Sequence, residues 1–217
     1  ALRSITLTRN PNFYRGTVYV NEITMKFYAD LAELTEAVRN KNVEGASVLA
    51  AQDAQSLAKD GVIALGAPRL SQFTAAFFNQ KHSAVLAEDA VRQALDKATD
   101  RVAVAQVSSG EYAAPIVSPL LPGMPGYSAD VTVPAPDTEG AKALLESEKW
   151  TFVEGATVRS KNATPLSFTI TTLDSPDLIA AAQELERQWE GIGASVDVVV
   201  IDEMTLQTDS IKNHNYD

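Results

Sequence analysis

The sequence predicts an α/β chain, mixed α+β in detail, and its last third carries the observations that lead there. Leu166, Phe168 and Ile170 alternate with Ser167, Thr169 and Thr171, the period of a half-buried strand. Ser175-Pro176 then offers an N-cap and a first helical residue, and Leu178, Ala182, Leu185 and Trp189 recur along one helical stripe. Gly191 to Gly193 stops the helix, and the Val-rich run from Ser195 to Ile201 suits a buried strand. Strand, helix and strand at these lengths make a βαβ unit, with parallel strands and a right-handed crossover. A helical bundle or a β-sandwich would not show this alternation.

The earlier elements follow in order. Residues 5–29 read as strands around an Arg9-Asn10-Pro11-Asn12 turn, with Ile23, Met25 and Phe27 alternating against Thr24, Lys26 and Tyr28. Asp30 followed by Glu33 forms a capping box, and Leu31, Leu34 and Val38 continue at helical spacing until Glu44-Gly45 breaks the helix. Gln52 to Lys59 reads as a second helix. Gly61 and Gly66-Ala67-Pro68 mark a connection, which places a domain boundary near residue 70 and divides the chain into residues 1–70 and 71–217. Phe73 to Phe78 is strand-like and ends at Asn79. Helices are expected over Asp89–Ala98, Val102–Val107 and, capped by Asp137, up to Trp150. Between the last two, Pro115, Pro119, Pro122, Pro125, Pro134 and Pro136 impose a long loop, because proline donates nothing to a ladder.

Composition excludes several function classes. The 217 residues are 45% hydrophobic and 21% charged, an ordinary globular balance. A net charge of −10 repels phosphate backbones, so nucleic acid is not an expected partner. No cysteine is present, which removes disulfides, zinc–thiolate sites and a thiol nucleophile. No run approaches the ~20 apolar residues that a membrane-spanning helix needs. The abrupt ends, Ala1-Leu2-Arg3 and Asn215-Tyr216-Asp217, lead us to expect a piece of something longer.

No catalytic constellation assembles. His82 and His214 lack companions at metal-ligand spacing and read as exposed loop residues. Gly191-Ile192-Gly193 precedes a strand, whereas a dinucleotide site needs its glycines before a helix. Asn162-Ala163-Thr164 is a glycosylation sequon too short to carry weight. Glu139, Glu146 and Glu148, like Glu184, Glu186 and Glu190, read as solvated helix faces, and Trp150 and Trp189 as core.

The order of motifs has a counterpart. Ile5 to Gly16, with Arg9-Asn10-Pro11 and an aromatic pair, resembles a stretch of the family 5 extracellular solute-binding proteins. These are the oligopeptide, dipeptide and nickel binding components of ABC importers. Phe77-Phe78-Asn79, Asp89-Ala90-Val91-Arg92-Gln93-Ala94-Leu95 with Asp100-Arg101, Pro119-Leu120 with Pro122, and Ala141 to Trp150 are similar to further segments in the same order. Glu148-Lys149 stands where that family commonly has Ala-Gly.

The resemblance implies a periplasmic-binding-protein-like lobe with the βαβ unit, plus part of a second lobe. Residues 1–70 would belong to the larger lobe, and 71–217 would form most of the other. It implies capture of a solute, a peptide first, in an interlobe cleft by hinge closure, with importer membrane subunits as partners. It implies a place outside the cytoplasmic membrane, no enzyme activity and no cofactor. Asn79, Thr172 and Asp174, at strand ends, are the ligand-binding candidates, although a carboxylate beside a helix start also suits a cap. The alternative is a hydrolase or transferase domain whose catalytic residues lie outside this stretch.

Overall fold

A computed structural model describes residues 3–16, 18–66 and 72–217, which fall into two compact units, Ala1–Gly66 and Ala67–Asp217. The expected boundary near residue 70 lies outside the described residues.

In the first unit, β1 (Ser4–Thr8) and β2 (Glu22–Lys26) pair antiparallel, with Ile5 opposite Met25 and Leu7 opposite Ile23. The Thr6 and Thr24 hydroxyls meet at 3.2 Å across the ribbon. Two helices follow, α1 (Leu31–Arg39) and α2 (Ala51–Lys59), joined by a 3.2 Å bond from the Thr35 hydroxyl to Asp53. Asp30 caps α1 as expected, accepting from the Glu33 N–H. The Glu33 carboxylate reaches back one residue further than a capping box requires, to the Ala29 N–H.

The second unit begins with α3 (Ala84–Ala87), α4 (Asp89–Ala98) and α5 (Arg101–Ser109), and a 3₁₀ turn at Gly110–Tyr112. The proline-rich stretch then runs without helix or strand to α6 (Thr138–Ser147). A small antiparallel meander follows: β3 (Thr151–Phe152), β4 (Arg159–Lys161) and β5 (Thr164–Pro165). Next come β6 (Ser167–Leu173), α7 (Pro176–Glu190) and β7 (Ser195–Ile201). β6 and β7 are parallel, with Ser167 opposite Ser195 and Leu173 opposite Ile201. A helical stretch then opens as α8 (Glu203–Thr205) and turns π-helical over Leu206–Ile211.

The core of this unit gathers Val91, Ala94 and Leu95 of α4, Ala141 and Leu145 of α6, and Trp189 of α7. Phe168 and Val196 join them from the βαβ strands, and Leu166 from the position just before β6. Both tryptophans are buried, and each indole N–H has an acceptor: Glu88 for Trp150 at 3.1 Å, the Thr99 hydroxyl for Trp189 at 3.0 Å.

Five expectations need correction. The Phe73–Phe78 run forms no strand, because among the described residues no backbone pairs with it. Helix α1 ends at Arg39, not at Glu44-Gly45: Lys41 turns left-handed at φ 58° and closes the helix there. Helix α6 stops at Ser147, short of Trp150, because Lys149 does the same at φ 68°. Ile23, Met25 and Phe27 alternate as expected yet are exposed, so the ribbon's apolar side is uncovered among the described residues. Finally, Ser175 holds the N-cap position of α7, but its hydroxyl makes no capping bond.

Candidate functional site

In open parallel sheets, ligand sites form beyond the carboxyl ends of the strands. Here that end is made by Leu173-Asp174-Ser175 after β6 and by Ile201-Asp202 after β7. The corner is held by backbone bonds, Asp174 N–H to Ile201 O at 3.3 Å and Ser175 N–H to Leu173 O at 2.8 Å. Thr172 sits opposite Val200, half-buried, on the strand face that Phe168 and Ile170 turn to the core. The Asp174 side chain is exposed and has no hydrogen bond or ion pair among the described residues. With Ser175 equally uncommitted, the start of α7 has no side-chain cap. Its first N–H groups and the positive end of its dipole stand beside a free carboxylate.

Asp202, at the neighbouring strand end, is different. Its carboxylate accepts from the Thr205 hydroxyl at 2.6 Å and the Thr205 N–H at 2.9 Å, and these bonds hold its pKa below the usual range. One carboxylate at this end of the sheet is occupied as a cap and the other is available.

Asn79 occupies a separate place. Its side-chain amide is buried, donates to His214 O at 2.9 Å and accepts from the N–H groups of Lys81 and His82. No hydrogen bond joins it to Thr172 or Asp174 among the described residues; Thr172 and Asp174 lie two residues apart at the end of β6, and Asn79 has other partners.

Two recesses lie elsewhere. In the first unit a depression of about 510 Å³ opens between Arg9, Phe13, Tyr19 and Ile23. In the second, one of about 150 Å³ is bordered by Glu88, Trp150 and Lys161. Glu88 accepts from the Lys161 ammonium at 2.8 Å and from the Trp150 indole, and the lysine bond above all holds its pKa below the usual carboxylate range. The charged groups of this recess, Glu88 and Lys161, are thus paired with each other. Among the described residues no cluster of His, Asp or Glu suits a metal ion, and no helix is long and apolar enough to cross a membrane.

Sequence reasoning missed the most deeply placed charge. Arg159, on β4, is 2% exposed and donates to Ile192 O, Trp150 O and Glu146. Glu146 is therefore a partner of a buried cation and not merely part of a solvated face. Glu184, bonded to Arg187 and Gln188, is also drawn out of solvent. Arg159 lies in a stretch with no periodic pattern, so nothing in its neighbours pointed to burial.

Comparison with known proteins adds the following. The profile described as bacterial extracellular solute-binding proteins, family 5, middle, matches residues 2–217. No curated protein sequence matches the chain. Among solved structures, NikZ from Campylobacter jejuni in complex with Ni(L-His) is similar over 99% of this chain and 42% of its own, with TM-score 0.79 and 20% identity. A periplasmic oligopeptide-binding protein from Thermotoga maritima is similar over 100% and 44%, with TM-score 0.78 and 16% identity. The oligopeptide-binding protein AppA from Bacillus subtilis, in complex with a nonapeptide, is similar over 99% and 43%, with TM-score 0.67 and 19% identity. At these identities the likeness is one of fold. The chain spans less than half the length of each.

Proposed function

The chain belongs to family 5 of the bacterial extracellular solute-binding proteins, and from that premise we propose that it is part of the capture protein of an ABC importer. The observation that carries the reading is the match of the family profile over residues 2–217. In this proposal residues 1–70 belong to the larger lobe and 71–217 form most of the second. The lobes close on a solute by hinge motion, the ligand drawing the population towards the closed form. The protein works outside the cytoplasmic membrane and hands its solute to importer membrane subunits.

The solute we propose is a peptide. Two of the similar solved structures are oligopeptide-binding proteins, one of them holding a nonapeptide. At the sheet's carboxyl end, Asp174 offers an exposed, unpartnered carboxylate to a ligand ammonium, and Thr172 stands two residues before it. In a cleft that excludes water such a charge-assisted bond gains strength.

A thermal-shift screen of the full-length protein against peptides, sugars and nickel, run beside a turnover assay, tests the reading. Stabilisation by peptides without turnover supports it; product formation contradicts it. Asp174→Asn is expected to weaken binding of a peptide with a free amino terminus about tenfold, or about 1.4 kcal/mol, and to leave an N-acetylated peptide nearly unaffected. Equal losses for both peptides would remove Asp174 from the ligand contacts.

A further inference from the structure

The recess of about 150 Å³ in the second unit lies at the opposite end of β6 from Asp174. Thr164, on its border, precedes the strand by three residues, and the strand itself carries the chain ~20 Å further, at about 3.3 Å per residue, to Leu173. Three stretches of sequence form the border: Val85 and Glu88 at α3, Trp150 just past α6, and Lys161, Asn162 and Thr164 on the β4–β5 hairpin.

The hairpin aims its groups through its turn. Lys161 and Thr164 stand opposite each other in the ladder, so their side chains share one face. Asn162 and Ala163 between them are both left-handed, at φ 51° and 65°, the two-residue turn that matches the twist of the strands. Asparagine takes that conformation readily and alanine seldom does.

The charges are anchored from the core side. Glu88 Oε2 accepts from Lys161 Nζ at 2.8 Å and from the indole N–H of Trp150 at 3.1 Å, and the ammonium stands 5.9 Å from the Trp150 ring centroid. Trp150 is buried, so Glu88 cannot swing outward without breaking a bond to the core. Side-chain exposure is 34% for Glu88 and 24% for Lys161, which leaves part of each open while water screens them less than on a free surface. Both of these bonds fall on Oε2, so Oε1 is the acceptor that faces a further donor, and the ammonium has two N–H groups beyond the one given to Glu88.

We infer that this recess binds a free α-amino acid with a small side chain, such as glycine or alanine. The ligand carboxylate meets the Lys161 ammonium, with the Asn162 amide and the Thr164 hydroxyl as further donors, and the ligand ammonium meets Glu88 Oε1. Four charges then alternate in a ring, each beside two of opposite sign. Adjacent charges on the protein require adjacent charges on the ligand. An α-amino acid has them; a peptide, whose termini are separated by its length, does not. The volume agrees, since about 150 Å³ is about five water volumes at ~30 Å³ each. This site stands whether or not a peptide binds at the other end of the sheet.

Isothermal titration of the full-length protein with L-alanine tests it. One saturable equivalent is expected. Binding should be at least about tenfold weaker for N-acetyl-L-alanine, which lacks the ammonium, for L-alaninamide, which lacks the carboxylate, and for L-phenylalanine, which exceeds the volume. Lys161→Met and Glu88→Gln are each expected to weaken alanine binding about tenfold or more. Asn162→Gly keeps the left-handed turn and removes one donor; it is expected to weaken binding about threefold, and it serves if a charge variant does not fold. Asp174→Asn should leave alanine binding unchanged, and Glu88→Gln should leave the affinity for a nonapeptide unchanged. No saturable binding of L-alanine, equal binding of the blocked analogues, or binding undiminished in the recess variants would overturn the inference. So would alanine binding that is lost in Asp174→Asn and kept in Lys161→Met.

Discussion

Arg159 carries a charge almost wholly out of water, and its neighbours show what makes that tolerable. Nε donates to Ile192 O at 2.8 Å, one terminal nitrogen to Trp150 O at 2.9 Å and the other to Glu146 at 3.0 Å, with the guanidinium 4.5 Å from the Phe152 ring centroid. Two of the three acceptors are backbone carbonyls that α6 and α7 leave open just past their ends, so the side chain joins both helix ends to β4. Replacing Arg159 by Ala orphans those carbonyls and empties its volume, and is expected to cost about 3–5 kcal/mol in urea unfolding. Glu146→Gln should cost under about 1 kcal/mol, because Glu146 is mostly exposed and the carbonyl bonds persist. Similar losses for the two variants would show that the ion pair, and not the carbonyl bonds, does the stabilising. Glu88 gives a pH signature. Its pKa is depressed in the folded state by Lys161 and Trp150, so its stabilising effect is complete above the unfolded carboxylate pKa of about 4.3 and disappears as pH falls through the lower folded value. The melting temperature of Glu88→Gln is therefore expected to lie below wild type near neutrality and to approach it on acidification. A constant difference across pH would contradict this.

Helix endings explain which element boundaries could be read and which could not. After α1, α2, α6, α7 and the π-helical stretch, a left-handed residue stands two or three positions past the end: Lys41, Gly61, Lys149, Gly193 and His214. Each is followed by a residue whose N–H reaches back to the last helical turn: Asn42 to Ala37, Val62 to Leu57, Trp150 to Leu145, Ala194 to Trp189, Asn215 to Ser210. This is one capping motif used five times. Where glycine fills it the stop is legible, as the glycines after α7 show. Where lysine or histidine fills it, no residue type announces it, which is why the ends of α1 and α6 were misplaced. At Lys149 a glycine would relieve the left-handed conformation, and Lys149→Gly is expected to raise stability by about 1 kcal/mol in denaturant unfolding. At Gly193 the reverse holds. A Cβ there would come within 2.7 Å of the Phe152 ring and 2.8 Å of Arg159, so Gly193→Ala should lose about 2 kcal/mol or more by the same measurement. A stabilising Gly193→Ala or a destabilising Lys149→Gly would refute the shared motif.

Across the whole molecule, the parts closed by local pattern were the readable ones. The βαβ unit declares itself because both strands and the helix carry their apolar residues inward, and Phe168, Trp189 and Val196 meet in one core. The hairpin shows the limit of that reading. Alternation identified β2 and its apolar side, but periodicity specifies which side is apolar and not what covers it; Ile5, Leu7, Ile23 and Met25 remain exposed. The candidate site divides the same way. Asp174 stands out as a candidate because it follows a strand and precedes a helix, whereas two of the partners of Asn79, His214 and Asp217, lie more than a hundred residues away and leave no local trace. The meander holding Arg159 is too short to show a period at all.

The central claim is that the intact protein captures a peptide and releases it chemically unchanged. The most direct measurement incubates the full-length protein with a defined nonapeptide, separates the complex, releases the ligand and weighs it by mass spectrometry. The account predicts one saturable equivalent recovered at its original mass; a cleaved or modified peptide would contradict it.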